Sequence, residues 1–118
     1  MNEQCYSCES GEGRLNPVDI RSKLEHMVGW TLSDSERKLI RCVVLSDFKE
    51  AMSLLNEIAE AAEYMGHHPD LHLKQYRKVL IELSTHKING LTELDFVLAS
   101  KIDDIVAKIK SKVEPFVL

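Results

Sequence analysis

The sequence has no excess of positive charge. Fifteen Lys and Arg stand against nineteen Asp and Glu, giving a formal net charge of −4 over 118 residues. A nucleic-acid footprint would show as a basic patch or stripe, and none is present. No apolar run approaches the ~20 residues of a membrane span. The N-terminus is polar and lacks the apolar core of a secretory signal, so the cytoplasm is the expected compartment. Cysteine is scarce, with only Cys5, Cys8 and Cys42. An odd count without a signal sequence does not suggest a disulfide framework. Cys5-x-x-Cys8 has ligand-like spacing, but a structural zinc site takes four ligands, usually from two clusters, so the pair reads as part of a tail without a metal. Cys42 lies in an apolar strand pattern and reads as a small core residue.

What is present suits one domain with one core: hydrophobic residues make up 44% of the chain. Residues 1–14 are polar and glycine-bearing and read as a mobile tail. Residues 15–118 are expected to form a single domain. Asn16-Pro17 resembles an N-cap followed by Pro at the first helical position, with Val18, Ile20 or Arg21, Leu24, Met27 and Val28 as a stripe ended by Gly29. Trp30–Leu32 and Leu39–Leu45 read as the strands of a hairpin across a polar turn. Asp47 with Glu50 caps a central helix whose expected stripe is Phe48, Met52, Leu55, Ile58 or Ala59, and Ala62. Leu71 and Leu73 suggest a third strand. Val79, Ile81 and Leu83 alternate cleanly as a fourth, with Leu80, Glu82, Ser84 and His86 on its other face. Asn89-Gly90 marks a turn, and Thr92 with Asp95 opens a last helix running through Leu94, Leu98, Ile102 and Val113 to Pro115. The order α-β-β-α-β-β-α predicts an α+β two-layer sandwich, a four-stranded antiparallel sheet with helices on one face.

Function is concentrated between Glu63 and Asp95. Gly66 ends a helix in the left-handed conformation, and Pro69 forbids its continuation and biases His68 toward extended backbone. The imidazoles of His67 and His68 therefore leave the chain in different directions. His86, at the end of a strand pattern and off its main apolar face, belongs in a cleft or at an interface. Glu63, one helical turn before His67, either accepts a hydrogen bond from a histidine or is a solvated helix-face glutamate. Asp95, third after the cap residue Thr92, reads as a stabiliser of the helix start. Tyr76 reads as a turn or packing aromatic, Thr85 as a lining residue, and Pro69 as a director of the backbone. His26 and His72 read as surface residues.

The spacing Glu63-x3-His67-His68-Pro69-x6-Tyr76-x9-His86-x8-Asp95 resembles the signature of the pterin-4a-carbinolamine dehydratases. Trp30-x-Leu32, Asp47-Phe48, Leu83-Ser-Thr-His86 and Gly90-Leu91-Thr92 fit the same pattern, and the resemblance covers about residues 17–110. It implies dehydration of 4a-hydroxytetrahydropterin, left by an aromatic amino acid hydroxylase, to quinonoid dihydropterin. It also implies a homodimer or homotetramer and functional coupling to that hydroxylase. By resemblance, His67 and His86 are the catalytic acid/base pair. His68, Glu63, Pro69, Tyr76, Thr85 and Asp95 are the candidate substrate-binding set. Imidazoles exchange protons near neutral pH, and neither a metal nor a cofactor is expected, the pterin being the substrate. Many relatives carry Trp where this chain has Leu71, and a polar or basic residue where it has Leu94. Three other readings stand beside this one: a related, molybdopterin-like substrate, a protein-binding dimerisation module, and a metal site built from His67, His68 and His86, with or without the Cys5/Cys8 pair.

Overall fold

A computed structural model describes residues 13–109. The first helix, α1 (Pro17–Leu24), starts as expected: Asn16 accepts from the Asp19 amide and Pro17 occupies the first turn. It stops earlier than the apolar stripe predicts. His26 and Met27 hydrogen-bond back only three residues, to Lys23 and Leu24, so the last turn tightens and unwinds. Val18 and Val28 are left exposed.

Strands β1 (Trp30–Leu32) and β2 (Leu39–Val44) form the first hairpin. The central helix α2 (Phe48–Met65) has Asp47 as its N-cap and Gly66 as its C-cap, with Gly66 at φ 69°. Strands β3 (Asp70–Lys74) and β4 (Lys78–Leu83) follow, then a 3-10 turn at His86–Ile88 and the last helix α3 (Glu93–Ala107). The sheet order is β1-β2-β4-β3, and every neighbouring pair is antiparallel. Val113 and Pro115, expected within and after α3, lie outside the described residues.

The core lies between one sheet face and the helices. Leu39, Val43, Val79, Ile81 and Leu83 meet Ile20 of α1, Leu54 and Ile58 of α2, and Leu98 and Ile102 of α3. This is the predicted α+β arrangement of a four-stranded antiparallel sheet with three helices. The stripe on α2 keeps the expected Ile58 and Ala62 and is displaced toward its start. Ala51, Leu54, Ile58 and Ala62 are buried, while Phe48 and Met52 sit on the flank, 52% and 39% exposed. Small Ala51 lets the first turns of the helix approach the core closely, so bulk did not mark the buried face there. Cys42 is also corrected. It shares the inward parity of neither Leu39 nor Val43 and is half-buried on the opposite face, beside Leu80 in the pairing. Burial pushes its thiol pKa up, Lys74 opposes that shift, and Glu82 adds to it.

Asp103 of α3 fastens the first hairpin. Its carboxylate accepts from Trp30 Nε1 at 2.8 Å and pairs with Arg41. At the other end of α3, Leu15 donates its amide to the Leu91 carbonyl at 2.8 Å, and the Arg14 guanidinium donates to the Ile88 carbonyl. Gly90 makes room for that arginine: a Cβ there would stand 3.2 Å from Arg14 Nε.

Candidate active site

The end of α2, the start of β3, the end of β4 and the start of α3 converge at one end of the sheet. Gly66 turns the chain out of α2, and His67 points back into the protein, 8% exposed. Its Nε2 lies 2.6 Å from Asp95 Oδ1. Asp95 is fully buried at 0% exposure, and its second oxygen accepts from the Thr85 hydroxyl at 2.9 Å and the Thr92 amide at 3.0 Å.

The directions of these bonds follow from what each group can do. A carboxylate only accepts, so Nε2 of His67 carries the proton. Thr85 donates to Asp95, so its oxygen accepts from the Thr92 hydroxyl at 2.9 Å. The Thr92 oxygen in turn accepts from the Leu94 amide at 3.3 Å. Asp95 thus closes the capping box of α3 and fixes His67 at the same time. With Nε2 committed to Asp95, a neutral His67 carries its unprotonated nitrogen at Nδ1.

The outer part of the site is exposed. His68 Nε2 lies 2.5 Å from Glu63 Oε2, with side chains 58% and 75% exposed. His86 follows β4 in the 3-10 turn, 63% exposed, its Nε2 3.9 Å from Asp70 Oδ2. Pro69 is half-buried between His68 and Asp70. The arrangement therefore has an inner, carboxylate-held imidazole and two outer imidazoles, each beside its own carboxylate. Among the described residues no three His, Cys, Asp or Glu side chains converge as a metal site, and Cys5 and Cys8 lie outside those residues.

The sequence between residues 13 and 105 matches the family model described as pterin 4 alpha carbinolamine dehydratase. The chain belongs to this family. A dehydratase-family protein of Methylococcus capsulatus is 36% identical over 106 residues, covering 90% of this chain and 92% of its own. An Arabidopsis thaliana protein named pterin-4-alpha-carbinolamine dehydratase 2, mitochondrial, is 36% identical across 87% of this chain and 57% of its own length. The crystal structure of a transcriptional coactivator/pterin dehydratase from Brucella melitensis superposes with TM-score 0.74 at 33% identity, over 78% of this chain and 97% of that one. A pterin dehydratase-like protein identified as a RuBisCO assembly factor in the alpha-carboxysome shares the fold, with TM-score 0.58 at 18% identity.

Seven of the eight candidate site residues meet at this end of the sheet: Glu63, His67, His68, Pro69, Thr85, His86 and Asp95. Tyr76 does not. It sits 59% exposed at the tip of the β3–β4 hairpin, at the opposite end of β4. Six strand residues intervene, a span of roughly 20 Å. The expected helper of His67 also changes. Glu63 pairs with His68, and His67 is held by Asp95, 28 residues away in sequence. Asp95 is shut off from solvent, so it positions the inner histidine and does not itself line an open site. Asp70, beside His86, and Thr92, inside the buried network, are the residues that the motif reading passed over. His26 and His72 are exposed, and His72 Nε2 lies 3.5 Å from Glu82.

Proposed function

We propose that this protein dehydrates a 4a-hydroxytetrahydropterin to the quinonoid dihydropterin and water. The observation that carries the reading is the buried Asp95–His67 bond set beneath the two exposed histidines. In the reaction the N5 lone pair expels the 4a-hydroxyl, which takes a proton and leaves as water. N5 loses its proton, and a C4a=N5 double bond forms. No oxidation state changes, so the elimination calls for proton transfer alone. His67, through Nδ1, and His86 are the acid/base pair, while His68 with Glu63 holds and orients the pterin. Such proton transfer is typically worth ~10²–10⁴ in rate. Family membership supports the substrate class. Coupling to an aromatic amino acid hydroxylase, which releases this carbinolamine, and a homodimeric or homotetrameric state are parts of the same proposal. No helix among the described residues is long and apolar enough to cross a membrane. The cytoplasm is the compartment proposed here, while relatives are named for the chloroplast and the mitochondrion.

The test is to generate the 4a-hydroxytetrahydropterin in place with phenylalanine hydroxylase and follow its decay by ultraviolet absorbance. The protein should accelerate decay beyond the spontaneous rate. His67→Ala and His86→Ala should each lose ~10²–10⁴ of that acceleration. Folded wild-type protein that leaves the spontaneous rate unchanged would refute the reading.

A further inference from the structure

Each of the three site histidines stands beside a carboxylate, but the three carboxylates differ in what they have left to accept. Asp95 is shut off from solvent and takes its donors from its own chain. Glu63 is engaged by His68 Nε2 at 2.5 Å. Asp70, the first residue of β3, has a side chain 51% exposed. His86 Nε2 lies 3.9 Å from its Oδ2, beyond hydrogen-bond distance. Directly opposite Asp70 in the sheet is Glu82, a second carboxylate with no proton to give. Glu82 already lies 3.5 Å from His72 Nε2 and 3.7 Å from Lys38 Nζ. Among the described residues no hydrogen bond is made to the Asp70 side chain. Both of its oxygens are therefore open, beside His86, on a strand that fixes where they stand.

A carboxylate with two open oxygens matches a pair of parallel N–H donors. A pterin has one such edge: N3–H and the 2-amino group stand side by side on its pyrimidinone ring. C4a, which loses the hydroxyl, lies directly across that ring from C2. We propose that Asp70 is a specificity-determining residue that accepts from N3–H and the 2-amino group of the pterin. It thereby selects 2-amino-4-oxo heterocycles, and by holding that edge it fixes where C4a stands relative to His67 and His86. Glu63 is the poorer match, because its carboxylate is shared with His68. The inference rests on the dehydratase reading and adds to it the group that reads the substrate's identity.

The test compares 7,8-dihydropterin with 7,8-dihydrolumazine, in which a carbonyl oxygen replaces the 2-amino group. Calorimetric titration of the full chain should show the pterin bound about tenfold more tightly or better, because in the lumazine one charge-assisted bond becomes an oxygen facing an oxygen. Asp70→Asn should reverse that order. The asparagine oxygen still accepts from N3–H, but its NH2 group meets a second donor in the pterin and an acceptor in the lumazine. The variant also relieves the like-charge contact with Glu82, so its urea midpoint should not fall below the wild-type value. In the carbinolamine assay it should raise KM more than it lowers kcat. Wild-type protein that binds the two heterocycles equally overturns the proposal. So does an Asp70→Asn protein that still prefers the pterin, and if that protein also dehydrates the carbinolamine, the contact falls while the dehydratase reading stands. Folded wild-type protein that binds neither heterocycle and leaves the carbinolamine untouched overturns both.

Discussion

Replacing Asp95 by asparagine changes one atom in a site where three donors converge. The carboxylate accepts from His67 Nε2, the Thr85 hydroxyl and the Thr92 amide, with no solvent to substitute for any of them. An asparagine keeps one acceptor oxygen and brings an NH2 group that can only donate. If the oxygen stays with Thr85 and Thr92, the NH2 faces His67, and the imidazole must shift its proton from Nε2 to Nδ1 to accept. This exchanges a charge-assisted bond for a neutral one, a loss of about 1–3 kcal/mol. The opposite orientation leaves two donors facing the NH2 group and costs more. The tautomer shift places a proton on Nδ1, the atom through which the proposed mechanism exchanges protons with the pterin. Turnover should therefore fall by ~10²–10⁴, the full contribution of one acid/base group. Urea denaturation measures the stability loss, ¹⁵N shifts of the imidazole report the tautomer, and the carbinolamine assay gives the rate. Thr92→Ala is the control: it removes the cap hydroxyl, costs about 0.5–2 kcal/mol, and leaves the His67–Asp95 bond and most turnover in place. Asp95→Asn with Nε2 still protonated and turnover unchanged would refute the positioning argument.

The remaining predictions follow from burial. His67→Ala should destabilise the fold measurably, because it strips a fully buried carboxylate of one donor, whereas His86→Ala, with its side chain 63% exposed, should unfold at the wild-type urea midpoint. Glu63→Gln should change stability by less than about 1 kcal/mol, since its pair with His68 is exposed, and should raise KM more than it lowers kcat. Ile58→Ala should cost about 2–5 kcal/mol and Met52→Ala less than about 1, as read from denaturation midpoints. Burial raises the Cys42 thiol pKa, so less thiolate is present at neutral pH. Iodoacetamide should therefore label Cys42 more slowly than an unperturbed thiol, with the rate climbing as pH rises.

Element ends were the most legible features of the sequence. Asn16, Asp47, Gly66 and Thr92 each carry a local reason to start or stop a helix, and each does so. The His-His-Pro turn was readable for the same reason. Features set by distant contacts were not. The partner of His67 depends on α3 docking against the end of α2, and Glu63 was merely nearer along the chain. Cys42 was misplaced because Leu39–Val44 is apolar on both faces apart from Arg41, so its parity is decided by pairing with β4. Tyr76 belongs to the same motif spacing as the histidines, but spacing carries no information about which end of a hairpin a residue occupies.

The Arg14–Ile88 and Leu15–Leu91 bonds have a practical consequence. They tie the described start of the chain, Arg14 and Leu15, to the short turn that carries His86 and to the residue just before the cap of α3. The opposite end of the domain is insulated from it: α3 begins beside Asp95 and carries its last turn roughly 22 Å away. A change that disturbs Arg14 or Leu15 therefore loads one wall of the site directly. A change in KM on Arg14→Ala would measure how firmly that strap holds the His86 turn in place.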